Sequence, residues 1–113
     1  MEDNFENKCK TVYKHIFDKI KENRKKTDIE FIKFILSEHQ PNTNPLQEIQ
    51  TVETAWMKDK IKFLKRLSVI YNPDNYPIRT EEEKLKNAIM KAITCEINEI
   101  LSRYEFEKIK YGD

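Results

Sequence analysis

Residues 67–77, Leu67-Ser-Val-Ile-Tyr-Asn-Pro-Asp-Asn-Tyr-Pro77 (LSVIYNPDNYP), end an amphipathic run and open a polar turn with two prolines. Pro73 lacks an N–H to donate and disfavours helical geometry at Asn72, so a helix must stop here. Just beyond, Thr80 and Glu83 stand at capping-box spacing, and a new helix starts. Glu81, Glu82 and Glu83 fall in its first turn, where the helix dipole favours negative charge. Two long helices joined by so short a loop predict a central antiparallel hairpin, over 45–71 against 81–104, in an all-α bundle.

The composition agrees with that fold class. The chain has one glycine and four prolines in 113 residues, too few breakers for a sheet of tight turns. A charged fraction of 36% beside 38% apolar residues suits thin helices with one buried stripe and one wet face. The length predicts one domain. The net charge of +1 gives no electrostatic signature for nucleic acid, which makes that partner unlikely. No apolar run approaches the ~20 residues that cross a bilayer. The N-terminus, MEDNFENK, is acidic where a signal or transit peptide would be basic. Cys9 and Cys95 form no CxxC and no disulfide framework, and both read as buried thiols in a reducing compartment.

Along the chain, residues 4–24 predict a helix with Asp3 as N-cap. Phe5, Cys9, Val12, Tyr13, Ile16, Phe17 and Ile20 share its inner face. Asp28 can cap a shorter helix, with Ile29, Ile32, Ile35 and Leu36 inside. Residues 40–45, QPNTNP, make a loop. Asn44 then caps a helix whose first residue is Pro45, with Gln47 completing a capping-box spacing. That helix is expected to run to Tyr71, bending near Gln50–Val52, with Ala55, Trp56, Phe63, Leu64, Leu67 and Tyr71 as its inner stripe. The helix from residue 81 points Leu85, Ala88, Ile89, Ala92, Ile93, Ile97, Ile100, Leu101 and Tyr104 inward. A last turn or short helix, EFEKIKY, is expected to end the chain.

The stretch KIKFLKRLSVIYNPDNYP resembles the J domains, the DnaJ-type co-chaperones of DnaK-type heat-shock ATPases. Leu67, Ser68, Tyr71, Pro73, Asp74 and Pro77 match the family's pattern of a basic helix, a tyrosine, a Pro-Asp loop and a further proline. EEEK at 81–84 with Leu85 is similar to its third-helix start, and SRYEFEKIKYGD to its closing segment. The resemblance is strongest over 45–86 and weaker over 29–111. It implies a J-like domain at 28–113 preceded by an N-terminal amphipathic helical extension at 1–27. Four departures mark a degenerate member, one of them a third helix about two turns longer than usual. Asn72 stands where the family has histidine and Asn75 where it has lysine, and FILSEHQP lacks the glycine of the usual first-helix turn.

In that family the loop and the basic face of the preceding helix dock on the ATPase, so the resemblance assigns Asn72, Pro73 and Asp74 to a degenerate J loop. Lys58, Lys62, Lys65 and Arg66 can share one helical face, with Lys60 pointing elsewhere. That face is either a solvated surface or a docking face for an acidic partner protein. Trp56 is either core or an interface anchor. Tyr76 can pack across the hairpin mouth or insert into a partner. Taken simply as a turn, the loop needs Asn72 as a helix-terminal residue tolerating left-handed geometry and Asp74 bonding its own backbone. His15 and His39 assemble no metal site, and neither a catalytic set nor a cofactor loop is recognisable.

Three functions follow as expectations. The first is a non-catalytic J-like adaptor that binds other subunits of a larger complex and does not stimulate a DnaK-type ATPase. The second is a working co-chaperone that tolerates asparagine at position 72. The third is a small helical nucleic-acid or ribonucleoprotein component using the basic stretches 8–26 and 58–66. Cytosol, a mitochondrial complex reached by uncleaved import, and a cytoskeletal or axonemal assembly are all open as locations.

Overall fold

A computed structural model describes residues 14–41 and 45–112. Asp3, Phe5, Cys9, Val12, Tyr13 and Asn44, given roles above, lie outside the described residues. Among those described, every regular element is helical. They are α1 (helical over 14–23), α2 (Asp28–Glu38), α3 (Ile49–Glu53), α4 (Met57–Ile70) and α5 (Glu81–Tyr111), with 3-10 turns at Leu46–Glu48 and Pro73–Asn75.

Helix α2 starts one residue earlier than Asp28 as cap would require. Thr27 is the N-cap, in extended geometry, and its hydroxyl accepts the Glu30 N–H at 3.2 Å. Asp28 is thereby freed for tertiary work. Its carboxylate accepts from Arg103 and from the Tyr104 hydroxyl, and lies 3.4 Å from Arg24. One side chain thus ties together the turn after α1, the start of α2 and the last part of α5. Burial, then the Asp28 carboxylate, pushes the Tyr104 phenol up to about 12.

The continuous helix expected from Pro45 to Tyr71 is instead three pieces. Pro45 precedes a 3-10 turn without a side-chain cap, and α3 lasts five residues. The chain breaks at Thr54–Trp56 rather than bending at Gln50–Val52. Thr51, Val52 and Thr54 lose χ1 freedom in a helix, and the Thr54 hydroxyl turns back 3.5 Å to the Thr51 carbonyl. Trp56 then resumes in extended geometry as the N-cap of α4. It is 66% exposed, so its place on the inner stripe is overturned.

Helices α4 and α5 are antiparallel. Moving back along α4 from Tyr71 to Lys65 moves the contacts forward along α5, from Thr94 to Glu105. Phe63, Leu64, Leu67 and Tyr71 on one side meet Ile89, Met90, Ile93, Ile97 and Ile100 on the other, and α2 covers the seam with Phe31, Ile32, Ile35 and Leu36. Ile20, from α1, joins the same core. Each such aliphatic side chain removed from water contributes roughly 1.5–3 kcal/mol before entropy is charged against it. Of the inner residues predicted on α5, Leu85, Ala88, Ala92, Leu101 and Tyr104 are half-buried. Ile61 and Met90 are buried residues that the periodic reading omitted.

The closing turn or short helix expected over EFEKIKY is instead the last part of α5. No proline or glycine interrupts 81–111, so α5 continues unbroken to the chain's single glycine. Gly112 takes a φ of 78° and its N–H closes on the Lys108 carbonyl at 2.8 Å. At roughly 1.5 Å per residue α5 is more than twice as long as α4. Its end leaves Phe106, Ile109 and Tyr111 exposed.

Candidate functional site

The connection at 71–80 is built from the α4 terminus outward. Tyr71 is the C-cap of α4 and fully buried. Its hydroxyl donates to the His39 carbonyl at 2.7 Å, which fastens the end of α4 to the end of α2. Burial raises the Tyr71 phenol pKa well above its usual range. The Tyr71 carbonyl, left without a helical partner, lies 2.7 Å from the Thr94 hydroxyl on α5.

Asn72 is not left-handed. It has φ −54° and ψ 125°, the extended ψ that a following proline imposes. It caps the 3-10 turn Pro73–Asn75, and its Oδ1 accepts the Asp74 N–H at 2.8 Å. The side-chain bond expected of Asp74 is therefore made by Asn72, and Asp74 stands exposed at the tip. Asn75 turns its Nδ2 back to the Val69 carbonyl at 2.8 Å, a carbonyl at the end of α4 that also accepts the Asn72 N–H at 3.3 Å. Asn87 on α5 donates from Nδ2 to the Pro73 carbonyl at 2.7 Å and to the Tyr76 carbonyl at 2.9 Å. The loop is therefore held from both sides by hydrogen bonds.

Tyr76 packs half-buried against the core, the first of its two readings. The Lys86 ammonium lies 5.4 Å from its ring centroid, and burial raises its phenol pKa. Lys58, Lys62, Lys65 and Arg66 are all exposed on α4, and Lys60 is half-buried. Positions 58, 62, 65 and 69 follow one another at helical spacing, so Val69, 67% exposed, continues the same face toward the loop. Part of that face is engaged within the protein: Arg66 pairs with Glu48, and Lys65 lies 3.9 Å from Glu105. Such exposed pairs are worth about 0–1 kcal/mol and leave the face open to competition. Trp56 sits at the opposite end of α4 from the loop, so the two aromatics do not form one site.

One further reading changes. Cys95 is exposed, because position 95 falls on the outer side of α5; Cys9 lies outside the described residues. His39 is half-buried, edge-on to Phe34 with ring centroids 6.2 Å apart, and burial lowers its pKa. His15 is exposed. Among the described residues no group of three or more His, Cys, Asp or Glu could hold a metal ion, and no helix is long and apolar enough to cross a membrane.

Asn87 and Thr94 are the site residues that sequence reasoning passed over. The available signal was weak: asparagine competes poorly inside a helix, so one there invites the question of what its amide bonds. No family model, curated protein or solved structure matches the chain.

Proposed function

We propose that this protein is a non-catalytic J-like adaptor, a helical subunit that binds other proteins of a larger assembly and does not stimulate a DnaK-type ATPase. One observation carries the reading. Asn72, where the resemblance puts the family's activating histidine, spends its side-chain oxygen inside the loop, on the Asp74 N–H. It offers a partner no ring, no stacking area and no positive charge. Losing a hot-spot contact of that kind costs about 2 kcal/mol or more, roughly 30-fold in binding. A J-like protein does no chemistry itself; it acts by contacting one state of its partner better than another, and without that difference nothing shifts.

A second reading, a working co-chaperone, draws on the exposed Asp74 and on the exposed face of Lys58, Lys62 and Lys65 along the preceding helix. Single-turnover ATP hydrolysis by a DnaK-type chaperone, with native protein and with Asn72→His, separates the two. An inert native protein with a stimulating Asn72→His variant supports a disarmed loop on an intact docking face. Stimulation by the native protein favours the co-chaperone, and loss of it in Asp74→Asn would secure that reading. If neither protein stimulates, the loop serves only to close the hairpin, and docking on such an ATPase is abandoned. The adaptor reading further expects co-purification in a stable complex from the native source; a free monomer alone would count against it.

A further inference from the structure

We propose that Asn87 is a positioning residue for the 72–76 loop, holding Asp74 in a fixed, partner-ready presentation; this rests on the reading of the loop as a J-like docking element. The observation is a double bond from one side chain. An asparagine amide nitrogen carries two hydrogens, and Asn87 Nδ2 uses them on the carbonyls of Pro73 and Tyr76, at 2.7 and 2.9 Å. Those two residues bracket the turn that carries Asp74. The same Pro73 carbonyl accepts the Tyr76 N–H at 3.0 Å, so the turn is closed on itself and clamped to α5 at one point.

The clamp lies on the concealed side of the loop. Asn87 is half-buried, whereas Asp74 and Asn75 are exposed. A partner docking on Asp74 would meet the loop's outer surface and leave Asn87 untouched. Its effect on binding is indirect. A loop already held in its bound shape need not be ordered when the partner arrives, and ordering is a principal cost of association. The basic face of α4 lies on another helix and does not depend on the Asn87 amide.

The variants are Asn87→Asp, which keeps the shape but turns a donor into an acceptor facing two carbonyls, and Asn87→Leu, which removes the donor without adding charge. Both are made in the Asn72→His protein, with a DnaK-type ATPase as probe. Two quantities are read: amide hydrogen exchange at Asn75 and Tyr76 in the free protein, whose N–H groups bond to backbone carbonyls, and stimulation of hydrolysis against concentration. We expect faster exchange at those amides. We also expect about a tenfold rise in the half-saturating concentration, the equivalent of freeing one residue's backbone, with the maximal rate unchanged. A merely structural role would lower thermal stability without moving half-saturation. Faster exchange with unchanged half-saturation, or unchanged exchange in both variants, overturns the inference. An inert Asn72→His parent overturns the docking reading itself, and is seen before any Asn87 variant is measured.

Discussion

Replacing Asn72 by histidine should destabilise the protein even as it supplies the missing ring. Asn72 Oδ1 accepts the Asp74 N–H at 2.8 Å from the N-cap position of the loop's 3-10 turn. Removing a capping acceptor of this kind costs about 1 kcal/mol, within a range of ~0.5–2. For a domain of this size that is a fall in Tm of roughly 4 °C, or a drop in the urea midpoint of about 0.3–1 M. Three variants isolate the cause. Asn72→Ala removes the acceptor alone. Asn72→Asp keeps an oxygen at the same distance along the side chain and should stay within ~0.5 kcal/mol of native. Asn72→His should fall between aspartate and alanine, because its Nδ1 stands where the amide oxygen did but accepts only while unprotonated. Equilibrium urea unfolding followed by circular dichroism measures all three. If aspartate costs as much as alanine, or alanine costs nothing, the cap is not what holds the turn. The comparison also calibrates the ATPase experiment, since stimulation by Asn72→His must then arise despite a loosened loop.

Tyr71→Phe should cost about 1–3 kcal/mol, because it strips the partly buried His39 carbonyl of the hydroxyl that donates to it at 2.7 Å; a urea midpoint indistinguishable from native would refute this. Stability should fall as the pH is lowered through the ordinary histidine value near 6.5. Burial lowers the His39 pKa in the folded state, so the unfolded chain binds the proton first on acidification. The stability linked to this group is fully present above that pH and is gone below the lowered folded value. His39→Gln should flatten the slope between about pH 7 and 5, and an unchanged slope would show another group to be responsible. Trp56→Ala should shift stability by less than ~0.5 kcal/mol, as for an exposed residue, whereas a core tryptophan would cost about 3–5.

The parts of the fold legible in sequence were those controlled by single residues acting locally. The Thr80–Glu83 capping box is present in both directions, at 3.0 and 3.1 Å. Helix α4 stops before Pro73, and the stripe Ile89, Ile93, Ile97, Ile100 is buried as its spacing requires. What sequence missed were competitions between near-equal local choices. Thr27 and Asp28 are both good caps, and the tie went to threonine because Asp28 gains more from Arg103 and Tyr104. The apolar spacing around Trp56 read as helix although Thr51, Val52 and Thr54 weaken it. A pattern says which residues could share a face, but not whether the backbone stays helical long enough for them to do so.

The loop shows the same division at the level of function. Asn72, Pro73 and Asp74 could be singled out because Pro73 ends a helix and the neighbouring residues have a recognisable register. Their supports could not, because Asn87 and Thr94 reach the loop from α5, eleven or more residues away in sequence. Once those supports are known, Asn72 looks different. Set against the histidine of the J-domain pattern that the loop resembles, it would mark a lost contact. As the cap of a turn held by two other asparagines and a threonine, it is a residue that fits its place. These are compatible if the loop's shape has been kept while its activating ring has not. Any turn joining two helices must satisfy its carbonyls, and the Asn87 clamp does so for Pro73 and Tyr76; only its effect on a partner separates presentation from simple closure. The clamp fixes the turn's shape whichever role it has, and half-saturation by a DnaK-type ATPase, read beside exchange at Asn75 and Tyr76, is what tells a presented loop from a merely closed one.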